Sequence, residues 1–125
     1  MSILVDTSVW VDHFKNRNEE LVRLLSGDLV LIHPMVIGEL ACGTPPAPRV
    51  RTLRDLNLLP QCHQASMSEV MAFIENKMLY GHGCGLVDIT LLASALITPG
   101  ATLWTLDKRL VKLANHLNVG YQPVH

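Results

Sequence analysis

The chain has 125 residues, a formal net charge of −1 and an apolar fraction of 49%, with aromatic residues at 5%. That length fits one compact domain spanning 1–125 with an aliphatic core, and no stretch reaches the ~20 consecutive apolar residues of a membrane span. Cys42, Cys62 and Cys84 are an odd count with no CxxC pair, which argues against a disulfide framework and suits a reducing cytosol, and the near-neutral charge requires any nucleic-acid binding to come from a local basic patch.

The opening run ILV reads as a short buried strand over 3–5; no basic region precedes it, so it reads as structure and not as a signal peptide. Residues 7–14 read as a helix with Val9, Trp10 and Phe14 on one face, and the polar KNRN separates it from a second helix over 19–25, stopped by Ser26 and Gly27. LVLI at 29–32 is an unbroken apolar strand, as in a parallel sheet covered on both faces. Pro34 suits the first turn of a third helix that ends at Gly43. After the turn-rich GTPPAP comes a basic helix over 49–56 and an extended LNLLP. A long helix over 66–79 carries Met67, Val70, Met71, Ile74 and Met78 as one stripe. The glycine-rich YGHGCG precedes a helix over 87–97, then a strand ATLWT at 101–105, a last helix over 107–117 and a short closing strand VGYQPV. Strands alternating with helices imply a parallel sheet flanked by helices.

Four of the eleven acidic residues stand out by position. Asp6 follows the first strand, Glu39 lies in the helix after the second, Asp107 follows the late strand, and Asp88 begins the helix behind the glycine-rich loop. In open parallel sheets, sites form beyond the carboxyl ends of the strands. Helical spacing puts Asp88 with Leu91 and Ala95, Asp107 with Leu110 and Ala114, and Glu39 with Val36 and Cys42, so each acid is expected on a core-facing side. Glu75 meets the same test beside Met71 and Met78, but it sits in mid-helix, far from any strand end. Singly, Asp6 and Asp107 also read as helix caps and Asp88 as an answer to the helix dipole; Glu39 has no such simple explanation.

Inward carboxylates need compensation. No Lys or Arg falls on the apolar stripes. The other source is a hard divalent cation, Mg²⁺ or Mn²⁺, which prefers oxygen ligands. Two such ions would offset four carboxylates, in the arrangement where paired metals about 3.5–4 Å apart act on the attacking and leaving oxygens of a phosphodiester.

LVDTSVW, VIGEL, LVDITLLASAL and LWTLDKRL, in this order along the whole chain, resemble the PIN domain, and more closely the VapC toxins of toxin–antitoxin pairs. The resemblance implies a three-layer α/β/α sandwich with a central, mostly parallel sheet. It also implies a metal-dependent endoribonuclease that cleaves RNA phosphodiesters with metal-activated water. Asp6, Glu39, Asp88 and Asp107 fall on the family's acidic quartet, holding up to two Mg²⁺ or Mn²⁺ ions. Thr7, Ser8 and Thr105 fall where small hydroxyl residues support the metals. The partners implied are RNA, a cognate antitoxin covering the site, and a second copy of the chain, in the cytoplasm and away from membranes. One departure is local: Arg109 and Leu110 stand where many relatives carry an aromatic residue.

Other chemistries fit less well. The DTS triplet lacks the second Asp of aspartyl phosphatases, and GHGCGLVD lacks the GK[ST] of a P-loop. Cys62, His63, His82 and Cys84 have the wrong spacing for a standard zinc finger. Of the two basic groups, Arg49, Arg51 and Arg54 read as a solvated face. Lys108, Arg109 and Lys112 adjoin Asp107 and are the candidates for holding RNA phosphates. The non-enzymatic alternative is a catalytically idle PIN-like module that binds RNA or protein.

Overall fold

The structure, a computed structural model, describes residues 1–123. Ile3, Leu4 and Val5 are fully buried, as a strand covered on both faces requires. They form β1 (Ser2–Val5), the centre of a parallel sheet in the order β2-β1-β3, with β2 (Val30–Leu31) on one side and β3 (Ala101–Trp104) on the other. The register sets Leu4 against both Leu31 and Leu103, and Val5 against Trp104. Single parallel bridges widen both edges: Gln61 beside Ile32, and Gly120 beside Leu103.

Those bridges revise two expectations. LNLLP is not extended: the basic helix α4 (Arg49–Asn57) runs into it, and the Leu58 and Leu59 amides bond back to Asp55 and Leu56. Extension begins only at Gln61. The closing strand reduces to the bridge at Gly120, where Leu103 donates to Val119 at 2.7 Å and Tyr121 donates to Leu103 at 2.8 Å. Val124, the end of that expected strand, lies outside the described residues.

The remaining helices are α1 (Thr7–Lys15), α2 (Glu19–Ser26), α3 (Pro34–Cys42), α5 (Met67–Lys77), α6 (Leu86–Ile97) and α7 (Lys108–His116). With the sheet they make a three-layer α/β/α fold. Helices α1, α3 and α4 pack together, while α5 packs on α6 and α6 on β3. Helix α6 is apolar around its circumference and is buried continuously from Ile89 to Ala95. One hydrophobic cluster takes residues from every strand and every helix. Among the described residues no helix is long and apolar enough to cross a membrane.

Local chemistry explains most helix starts. Asn18 accepts from the Leu21 amide, and Ser66 and Glu69 form a reciprocal capping box. The methionine stripe of α5 does not face the core as a unit. Val70 is buried and Ile74 partly so, whereas Met67, Met71 and Met78 are more than half exposed. The stripe drifts around the helix, and α6 covers only one side of it.

His33 caps α3, the helix that carries Glu39: its Nδ1 accepts from the Met35 amide at 3.0 Å. That requires a neutral ring, and burial lowers the His33 pKa below its usual 6.5. The unfolded chain therefore takes up a proton before the folded one does. The cap's contribution is complete above pH 6.5 and is lost as pH falls from there through the folded value. His33→Ala should destabilise by about 1 kcal/mol at neutral pH, the usual worth of an N-cap. His33→Asn keeps an acceptor without the proton. Its urea midpoint should fall less than that of the wild type between neutral and mildly acidic pH; parallel declines would refute the role of the ring.

Candidate active site

In the order β2-β1-β3, the chain leaves β1 toward one neighbour while the other is filled much later, so the carboxyl end of β1 is the switch point where a crevice opens. Asp6 stands there. Its amide donates to the Trp104 carbonyl at 2.9 Å, which carries the β1–β3 ladder one residue further and places Asp6 beside Thr105. The Asp6 side chain is buried. Its Oδ2 accepts from Ser8 Oγ and from Thr105 Oγ1, both at 2.7 Å. The same hydroxyls accept backbone donors from the next turn, Ser8 Oγ from Leu106 at 3.0 Å and Thr105 Oγ1 from Asp107 at 3.1 Å. Asp6 occupies the N-cap position of α1 yet makes no side-chain cap bond. The capping explanation therefore fails for Asp6.

Asp107 does cap: its Oδ1 accepts from the amides of Arg109 and Leu110, each at 3.0 Å. Glu39 Oε1 accepts from Thr7 Oγ1 at 2.6 Å, linking α3 to the first residue of α1. Asp88 Oδ2 accepts from the Gly85 amide at 3.3 Å. Helical spacing put Asp88, Asp107 and Glu39 on core-facing sides, and of these only Asp88 is turned partly inward. Asp6 is buried and Asp88 half-buried, but Glu39 and Asp107 are exposed. The buried side of α3 is formed by Val36 and Leu40, and Cys42 is exposed. A face shared on a helix does not say how far a residue near the helix end lies from the rim of a sheet.

The acids nevertheless converge. Burial holds the Asp88 carboxyl above the ordinary carboxylate range; the Gly85 amide works against this, and the negative charges of Asp6, Asp107 and Glu39 add to it. Each of the three thus lies within electrostatic reach of Asp88. Each of the four also has one oxygen engaged by a protein donor, while among the described residues no donor is directed at its other oxygen. The ion pairs among the described residues, Arg17–Glu19 and Arg23–Glu20, involve none of them.

Four oxygens without protein donors form a donor set that suits hard cations such as Mg²⁺ and Mn²⁺. Burial pushes the Cys62 thiol up to about 11 and raises that of Cys84, so neither is a ready thiolate ligand. Among the described residues no three His, Cys, Asp or Glu side chains already stand close enough to cage an ion. The exposed Glu39 and Asp107 would have to turn inward, toward the buried Asp6 and the half-buried Asp88. Lys108, Arg109 and Lys112 are exposed on the first turns of α7 beside this group, and Arg109 Nη1 donates to the Gly83 carbonyl at 3.2 Å. The sequence marked YGHGCG as a glycine-rich loop ahead of Asp88, but not that the Gly85 amide would bond Asp88 or that Gly83 would take Arg109.

The PIN domain family profile matches residues 3–116. Ribonuclease VapC32 of Mycobacterium tuberculosis, from strain CDC 1551 / Oshkosh and from strain ATCC 25618 / H37Rv, is 42% identical to this chain over 111 residues, covering 86% of each.

Two stability effects follow from this geometry. Thr105→Val leaves the buried Asp6 carboxylate with one of its two donors and strands the Asp107 amide, and it should destabilise by about 1–3 kcal/mol in urea unfolding, with Thr105→Ser close to wild type. Asp88 behaves oppositely. A raised acid pKa means the folded chain holds its proton more tightly than the unfolded one, so the ionised group destabilises as pH rises above 3.8. Asp88→Asn should raise the melting temperature of the metal-free protein at pH 7, and the gain should shrink as pH falls toward 3.8. A loss of stability at pH 7 would make Asp88 a structural cap.

Proposed function

The chain belongs to the PIN domain family, and from that premise we propose that it is a metal-dependent endoribonuclease, the toxin of a toxin–antitoxin pair. The observation that carries this reading is the convergence of Asp6, Glu39, Asp88 and Asp107 at one end of the parallel sheet, each with an oxygen that no described protein donor engages.

In this reading the four acids hold one or two Mg²⁺ or Mn²⁺ ions. Such cations, when bound, acidify a water and stabilise charge on the leaving oxygen of a phosphodiester. The protein's own part is graded. Ser8 and Thr105 orient the buried Asp6 by their bonds to its Oδ2. Thr7 steadies Glu39, and the Gly85 amide steadies Asp88. Lys108 and Lys112 offer cations to RNA phosphates, which positions a substrate without reading its sequence, whereas the Arg109 guanidinium is engaged by the Gly83 carbonyl.

A cleft of about 450 Å³ opens beside Glu39, lined by Val11, Phe14, Leu40, Pro45 and Pro46 with Lys15 at its edge. An apolar cleft leading to an acidic group suits an amphipathic antitoxin segment with a basic residue reaching inward. The exposed Met67 and Met71 of α5, with Met78 at its C-cap, offer an apolar face for a second copy of the chain.

Purified protein should cleave structured RNA with Mg²⁺ or Mn²⁺ and lose all cleavage in EDTA; cleavage that persists in EDTA would overturn the mechanism. The products should carry 5′-phosphate and 3′-hydroxyl ends, and 2′,3′-cyclic phosphates would exclude water as the nucleophile. Loss of a group that merely supports a metal ligand costs about 10–100-fold, so Asp6→Asn should lower activity by at least roughly 100-fold. Metal binding without cleavage of any RNA would favour the idle binding module. In cells, expression alone should arrest growth, and co-expression with the product of the adjacent reading frame should relieve it. Arrest that survives Asp6→Ala would show that the toxicity is not nucleolytic.

A further inference from the structure

We infer that Arg109 is a positioning residue that pins the glycine-rich loop 80–85 to the first turn of α7 and so sets the approach of Asp88 to Asp107, instead of holding an RNA phosphate. The inference rests on reading the four acids as a metal site, and it concerns how two of them are kept together.

Asp88 and Asp107 repel one another and belong to different helices, α6 and α7. Something must hold the starts of those helices close. Asp107 accepts from the Arg109 amide at 3.0 Å, which fixes where the Arg109 side chain departs. That side chain crosses to the loop, where Nη1 donates to the Gly83 carbonyl at 3.2 Å. Two residues on, the Gly85 amide donates to Asp88 Oδ2 at 3.3 Å. The path from Asp107 to Asp88 therefore runs through Arg109, Gly83 and Gly85 with no gap.

The packing at Gly83 is close. A Cβ there would stand 2.8 Å from Arg109 Cδ and 2.9 Å from Nη1, and the Gly83 φ of +80° is one that L side chains rarely adopt. Glycine at 83 both makes the turn and leaves room for the guanidinium to lie against the backbone. Cys84, the next residue, is partly buried, and beyond that burial it feels the charges of Asp88, Asp107 and Arg109. A lysine offers a compact point charge and would not reproduce the planar fork across the loop.

Simple electrostatics gives the opposite expectation, and that makes the proposal testable. Removing a cation beside an acidic site should by itself strengthen divalent metal binding. If Arg109 positions the loop, removal should weaken it. Arg109→Met keeps an exposed, unbranched side chain of similar length on α7, and Gly83→Ala displaces the guanidinium while leaving the charge in place. Mn²⁺ binding is titrated without RNA, and amide hydrogen exchange across residues 81–86 is followed in the metal-free proteins. Both variants should bind Mn²⁺ roughly 10-fold more weakly, the lower end for loss of a group supporting metal ligands. Both should exchange faster across the loop. At saturating Mn²⁺ the Arg109→Met enzyme should keep the wild-type KM for RNA.

Arg109→Met that binds Mn²⁺ as tightly as wild type or more tightly, or that leaves loop exchange unchanged, overturns the proposal. A raised KM at saturating Mn²⁺, with the salt dependence of RNA binding shallower by about one, makes Arg109 a phosphate contact instead. A wild-type chain with no affinity for Mn²⁺ overturns the metal reading; the exchange measurement then decides the clamp by itself.

Discussion

A buried carboxylate with no cation paired to it has to be satisfied by hydrogen-bond donors, or it would lose its charge or unfold its surroundings. Asp6 is satisfied by two hydroxyls on one oxygen, Ser8 from the start of α1 and Thr105 from the end of β3. Because those hydroxyls also accept the amides of Leu106 and Asp107, the turn between β3 and α7 is folded around the same point. The position of Asp107 thus depends on Asp6, although 100 residues of chain lie between them. The parallel β1–β3 register makes the contact possible, since pairing Val5 with Trp104 leaves their successors side by side.

The rest of the site is an answer to crowding. Like charges at close quarters oppose one another's ionisation, and the fold spreads the acids over a gradient of exposure. Asp6 lies at the floor, Asp88 half-buried, and Glu39 and Asp107 at the rim where water screens them. Each is oriented by a donor from its own neighbourhood: Thr7 for Glu39, Gly85 for Asp88, and the first amides of α7 for Asp107. Such an arrangement keeps the remaining oxygens without protein donors while tolerating the repulsion that a cation would relieve. The helix cap made by Asp107 is compatible with this, because capping uses Oδ1 and leaves Oδ2. A residue can meet a local structural need and a site's need with different atoms.

Much of the fold was legible in the chain because its signals are local. The unbroken ILV and LVLI runs mark strands covered on both faces, the helical spacing from Ser66 onward marks a long helix, and Pro34 sits where a missing amide does no harm. The misreadings occurred where neighbours decide. LNLLP has apolar residues enough for a strand, but α4 had not finished and the edge of β2 was reached only at Gln61. The α5 methionines repeat at helical spacing, yet spacing cannot say that α6 would cover Val70 and leave Met71 to solvent.

For the site, the sequence by itself determined which residues are candidates and where along the chain they stand: four acids placed after strands or within the helices that follow them, with small hydroxyls beside two of them and glycines ahead of Asp88. These are properties of residue type and order, and a strand that ends in Asp delivers that Asp to the sheet edge whatever else the chain does. The tertiary structure decided what each acid experiences. Burial of Asp6, exposure of Glu39 and Asp107, and the engagement of Arg109 with Gly83 depend on contacts between segments far apart in the chain. No periodicity within one element encodes those contacts, because desolvation and repulsion are fixed by distances that exist only once the elements have packed.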